Sequence, residues 1–229
     1  MFTEALLFDL DGTLTDSDPI HMIAFVEIGR RYGVAIDEAI FREHISGQSN
    51  RLICRNLFGH VDPALWDGIA DAKEARFREM IVGKLTPIPG LVGFLARERA
   101  RGAGCAVVSN APRANVVAML AALGLTKDFD AIVLGSELPR SKPDPLPYLT
   151  ALETLGVPAN RAVAFEDAVP GLLAAARSGV ATVGLTTSLD GEAILATGAH
   201  LAIPDYDAPE LQPFVDAALG RPAAVTSIG

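Results

Sequence analysis

The sequence predicts an α/β fold, a mainly parallel sheet with helices on both faces and an inserted all-helical cap, from three observations. Short apolar runs bounded by Gly, Asp or Asn recur at 5–9, 105–109, 131–134, 162–166, 181–185 and 201–203, each the length of a strand. Longer patterns of helical spacing alternate with them at 92–101, 113–123, 145–155, 169–178 and 209–219, with Gly102, Gly124, Gly156 and Gly179 as stops. Between the first two strands lies a stretch without any strand pattern.

Strand and helix alternating at this spacing imply right-handed crossovers and parallel pairing. The runs are apolar at successive positions, as strands covered on both faces must be. In the stretch without strands, apolar residues such as Ile20, Ile23, Ala24 and Ile28 recur at helical spacing, followed by "IFREHI", "RLICRNLF" and "AKEARFREMIV". Pro87 and Pro89 then end the helical pattern. The expected division is a core from 1–14 and 86–229 and a helical cap from 15–85, hinged at 15–19 and 84–90. The end of the chain, "GRPAAVTSIG", reads as a loose tail.

The 229 residues, 50% hydrophobic and 21% charged, suffice for a well-buried core. A net charge of −9 with no long basic run offers no footprint for nucleic acid or an anionic membrane, so a bound anion needs a local positive group. Neither a signal peptide nor a membrane span is expected, which predicts a cytoplasmic protein. Monomer is the expected state, with a homodimer through the cap left open. Cys54 and Cys105 lack metal-like spacing, and Cys105 opens the run "CAVVS", the setting of an inert buried thiol.

In an open parallel sheet, ligands bind at the carboxyl ends of the strands. Four polar groups fall there: Asp9 and Asp11 after the first strand, Ser109 and Asn110 after the second, Lys142 after the third, and Glu166 with Asp167 after the fourth. Singly, each has an ordinary structural explanation as a turn or helix cap. Together, on one edge, four carboxylates repel one another without a cation, and all-oxygen ligation beside a phosphate is what Mg²⁺ prefers.

With "DLDGT", "VVSN", "SKPDP" and "FEDAVPG" in this order around a helical insertion, nearly the whole chain resembles the haloacid dehalogenase superfamily. The resemblance implies a Rossmann-like core and a Mg²⁺-dependent phosphatase acting on a small phosphate ester. Asp9 is then the nucleophile that forms an aspartyl-phosphate. Asp11 protonates the leaving alkoxide and afterwards deprotonates the attacking water. Thr13 steadies a carboxylate with its hydroxyl. Mg²⁺ is held by Asp9, the backbone carbonyl of Asp11 and Asp167, with Glu166 beside them. Ser109, Asn110 and Lys142 receive the phosphoryl oxygens, and Lys142 supplies the missing positive charge. Members that displace halide or cleave phosphonates through a lysine imine lack the second aspartate, so Asp11 argues against both activities.

Selectivity is assigned to the cap, since the core meets mainly the phosphate. His21, twelve residues after Asp9, resembles the hinge histidine that orients the acid/base in the β-phosphoglucomutase-like branch. "SGQSNR" resembles that branch's substrate loop, which offers Gly47, Gln48, Ser49 and Arg51, and Lys73 resembles its cap lysine. One departure matters: in the mutase an arginine directly follows the loop serine, whereas Asn50 stands there in this chain. Arg51 comes one position later, about 100° around a helix. Without a secure second phosphate site, water is the expected acceptor and a sugar or polyol phosphate the expected substrate. The alternatives are a β-phosphoglucomutase-type phosphotransferase and, in another class, a phosphate-ester binding or regulatory protein without turnover.

Overall fold

The computed structural model describes residues 2–222. Its sheet comprises β1 (Ala5–Phe8), β2 (Gly104–Ser109), β3 (Ala131–Leu134), β4 (Ala162–Glu166), β5 (Ala181–Leu185) and β6 (Leu201–Ile203). The order is β3-β2-β1-β4-β5-β6 and every pairing is parallel. Chain direction across the sheet reverses at β1, whose neighbours are β2 and β4, and such a switch point opens a crevice at the carboxyl ends of those strands.

Alternate residues of the strands serve two separate cores. Leu6, Phe8, Val107, Val163 and Phe165 point to one face, under α5 (Leu91–Ala100), α6 (Arg113–Leu123) and α10 (Leu211–Ala218). Leu7, Ala106, Val108 and Ala164 point to the other, under α7 (Leu146–Leu155) and α8 (Val169–Arg177). Phe8 and Phe165, partners in register, stack with ring centroids 4.7 Å apart and planes 8° from parallel. Such a pair adds about 0.5–1.5 kcal/mol beyond the area it buries.

Between β1 and β2 the chain forms α1 (Asp18–Arg31), α2 (Glu38–His44), α3 (Asn50–Leu57) and α4 (Trp66–Met80). Phe25, Ile28, Phe41, Ile53, Phe58 and Ile69 build a third core inside this insertion. Phe77 and Met80, at the far end of α4, pack instead into the first core beneath it. No helix among the described residues is long and apolar enough to cross a membrane.

Two expectations are corrected here. The six-residue helix α9 (Gly191–Ala196) was not anticipated; Asp190 starts it by accepting the Ala193 N–H at 2.8 Å. The expected tail falls from residue 223 outside the described residues, and its beginning is not loose. Arg221 is buried against Glu4, Glu98 and Asp216. Both cysteines are buried and free, and burial pushes the Cys105 thiol up to about 12.

Candidate active site

The first loop places its two aspartates in different surroundings. Asp9 follows β1 directly, and its N–H donates to the Phe165 carbonyl at 2.9 Å, which keeps it in register with β4. Gly12 then takes φ +71°, a left-handed turn, and a Cβ there would meet the Asp167 carboxylate. The turn, closed by the Gly12 N–H to the Thr15 carbonyl at 2.8 Å, carries the chain on to Ser17 and His21, which meet Asp11. The Asp11 carboxylate accepts from Ser17 Oγ at 2.5 Å and from His21 Nε2 at 3.1 Å.

Asp9, Glu166 and Asp167 are all buried, and one oxygen from each lies within 4.8 Å of the others. Lys142 Nζ sits among them, 2.6 Å from Asp9 Oδ1, Glu166 Oε1 and the Val108 carbonyl. Tyr148 donates to Glu166 and Ser188 to Asp167, while the Thr13 hydroxyl stands 3.5 Å from Asp167. Helix α8 approaches so closely that a Cβ at Gly171 would overlap the Glu166 carboxylate.

Three acids against one lysine leave this cluster short of positive charge. Burial, with repulsion from Glu166 and Asp11, raises the Asp9 carboxyl to about 8 despite Lys142. Burial and the charges of Asp9 and Glu166 push Asp167 well up too. Asp11 goes the other way. Burial alone would raise it, but the hydrogen bond from His21, with help from Ser17 and the charge of Lys73, holds it below the ordinary carboxylate value. Buried carboxylate oxygens starved of counter-charge fit a hard divalent cation, so the donor set suits Mg²⁺. The side chain of Asp11 lies outside this donor set; only its backbone carbonyl remains as its expected contribution.

The Ser109 hydroxyl oxygen accepts the Ala111 N–H at 3.0 Å. Asn110 links three pieces of chain, accepting from Lys142 N at 3.2 Å and donating to the Gly47 and Lys142 carbonyls at 3.4 Å. From the helical insertion come His21, Gly47, Gln48 and Lys73, which line a cavity of about 80 Å³ with the core residues. A wider groove of about 780 Å³ adjoins it and shares Asp18, Phe41, Ser46, Gln48 and Ala168.

Ser49 and Arg51 are not in the cavity wall. Ser49 precedes α3 as its N-cap, and Arg51 is exposed on the outer side of that helix. Between them Asn50 faces inward and donates to Glu74 Oε1 at 2.8 Å. The sequence reading also passed over Asp18, Glu74 and Asn115, which line the cavity. A signal for Asn115 existed: it is the only polar residue of α6 after Arg113.

Comparison with known proteins agrees with this geometry. The model of the haloacid dehalogenase-like hydrolases matches residues 3–179. A validoxylamine A 7'-phosphate phosphatase of Streptomyces hygroscopicus subsp. limoneus is 31% identical over 189 residues, covering 82% of this chain and 88% of that one. A phosphorylated carbohydrates phosphatase of Thermotoga maritima is 31% identical over 86% of this chain and 92% of its own length. Among solved structures, CbbY from Rhodobacter sphaeroides in complex with phosphate superposes with a TM-score of 0.81 at 28% identity, over 96% of this chain and 100% of that chain. Fold and site thus define an enzyme of the phosphatase class. The chain belongs to the haloacid dehalogenase-like hydrolase family.

Proposed function

We propose that the chain hydrolyses a small phosphomonoester, a sugar or polyol phosphate, through a phosphorylated Asp9. The observation that carries this reading is the separation of the two aspartates. One carboxylate lies in the buried, lysine-bound acid cluster, and the other is bound by a histidine and a serine from the chain after the Gly12 turn.

In this reading Asp9 attacks phosphorus in line with the leaving oxygen, and Lys142, Ser109 and Asn110 take up charge on the transferring oxygens. Asp11, aligned by Ser17 and His21, gives a proton to the departing alkoxide and takes one from the water that opens the acyl phosphate. Mg²⁺, held by Asp9, Glu166, Asp167 and the Asp11 carbonyl, would supply charge neutralisation at the phosphate. Lys142 is bound to Asp9 and Glu166, which keeps its ammonium at the phosphate position whatever the solvent does. The helical insertion acts as a cap, with the adjoining groove as room for the carbon body of the substrate.

Water, and not a second hydroxyl, is the acceptor. Beyond His21, Lys73 and Lys142 the cavity wall has no cationic side chain among the described residues, Arg51 is turned away, and Asp18 adds negative charge. Within this cavity a second phosphate group has no unengaged cation to hold it, and Arg42 in the adjoining groove is paired with Glu38. The test is inorganic phosphate release, with and without Mg²⁺, from hexose, pentose and polyol phosphates, phosphoglycolate and nucleoside monophosphates. Mg²⁺-dependent release from some of these is the expected result. No release from any, with conversion of β-glucose 1-phosphate to glucose 6-phosphate under a bisphosphate primer, would replace hydrolysis by the mutase reading.

A further inference from the structure

We propose that Asn115, on core helix α6, is a positioning residue for the acid/base: through Glu74 it sets the place of Lys73, and through Lys73 that of His21 against Asp11. The proposal rests on the reading of Asp11 as the acid/base.

Asn115 is fully buried in a helix otherwise apolar after its first residue, and both of its polar partners lie across the boundary on α4. Its Nδ2 donates to Glu74 Oε2 at 2.5 Å, and its Oδ1 accepts from Arg78 at 2.7 Å. A buried amide is costly unless paired, so this one is fitted to α4 and to nothing on its own side.

Glu74 takes three donors: Asn115 on Oε2, and Asn50 at 2.8 Å with Lys73 at 3.0 Å on Oε1. With both oxygens engaged, it acts on its neighbours and not on substrate. The Lys73 ammonium has only protons to give, and it gives them to Glu74 and to His21 Nδ1 at 2.9 Å. Nδ1 is therefore the acceptor, and Nε2 carries the proton that meets Asp11 at 3.1 Å. The ring itself stacks on Phe77 at 3.7 Å, with planes 2° apart, so its plane is fixed and the lysine selects its tautomer.

Removal of the Asn115 amide leaves Glu74 free to turn on its remaining partners, and Lys73 follows the carboxylate. The histidine then loses the contact that orders its two nitrogens, and Asp11 loses a defined donor. None of these groups touches the Asp9 cluster, so nucleophilic attack itself is spared.

The experiment separates these steps by leaving group. An alkyl phosphate needs a proton on its departing oxygen, whereas p-nitrophenyl phosphate does not. Asn115→Ala is expected to lower kcat on the best alkyl phosphate substrate by about 10²-fold, the lower end of what a general acid contributes. KM and the first-turnover burst of p-nitrophenol should stay at parental values. Asn115→Asp sets a carboxylate against Glu74 and should lose at least as much. Adding Glu74→Gln to it restores a donor facing an acceptor, keeps an oxygen for Lys73, and should recover kcat. Equal losses of the first-turnover rate on both substrates, or a double variant no better than Asn115→Asp, would overturn the proposal. So would parental kcat in every variant. Asp11→Asn is the control: if it lacks the same dependence on leaving group, the acid/base reading falls and takes this proposal with it. If it shows that dependence and the Asn115 variants do not, this proposal alone fails.

Discussion

The two ends of β1 carry buried charge of opposite character. At its amino end Glu4 joins Glu98 and Asp216, and these three acids meet Arg221, Arg101 and Arg161. Arg221 alone reaches Glu98 at 2.6 Å and Asp216 at 3.1 Å, and Gln212 adds hydrogen bonds to both. At its carboxyl end Asp9 joins Glu166 and Asp167 with Lys142 as the cluster's only cation among the described residues. The first group is balanced, and its Asp216 carboxyl is held low, where Arg221, Gln212 and Arg101 outweigh burial. The second is unbalanced, and its Asp9 and Asp167 carboxyls are held high. Burial of charge is common to both, so burial does not mark the functional end. The deficit of positive charge is what sets the carboxyl end apart, and it suits a bound cation.

The comparison can be broken at either end. Asp9→Asn should lower phosphate release by a factor on the order of 10⁴ or more, as loss of a nucleophile does elsewhere. It should leave the metal-free melting temperature unchanged or raised, since one of three crowded acids is gone. A large fall in stability with residual turnover would place the cluster among structural ion pairs. Arg221→Ala should do the reverse. It leaves three buried acids short of their shared partner, at a cost of about 3–5 kcal/mol. For a chain of this length that lowers the melting temperature by about 6–20 °C. kcat measured well below that temperature should stay near parental.

A finer contrast lies in pH. Asp9, raised to about 8 from an ordinary 3.8, favours folding while it holds its proton. In chelator, its contribution is complete below pH 3.8 and is lost as pH climbs toward 8. Asp216 is depressed, so its contribution is present above pH 3.8 and is lost on acidification through its lowered folded value. Thermal melts in chelator should therefore show a loss between about pH 4 and 8 that Asp9→Asn reduces, leaving the share of Asp167, and an acid loss that it keeps. Mg²⁺ should restore stability mainly toward neutral pH, where protons no longer compete for the carboxylates. A melting profile indifferent to Mg²⁺ at every pH would remove the cation from the account.

Much of the core could be read from the sequence because its strands are short apolar runs that end in charged or polar residues. Those residues, Asp9, Ser109 and Glu166 among them, fall on one edge whenever the strands are parallel, and Lys142 comes to the same edge from the loop after β3. The insertion was harder. Ser49 and Arg51 were expected at the site, but one position around α3 turns Asn50 inward and Arg51 out. Glu74 and Asn115 were missed because their meaning lies in a meeting of α4 with α6, which no local pattern records. For the same reason a stretch that looked like a loose tail holds Arg221, whose partners come from positions 4, 98 and 216.

The stacked rings of Phe8 and Phe165 stand one residue before Asp9 and one before Glu166. Each acid therefore inherits its position from a neighbour on the opposite face of the sheet, and the gap between them is the strand spacing of about 4.8 Å. A smaller side chain at position 8 or 165 would therefore move a carboxylate as well as open a cavity in the core.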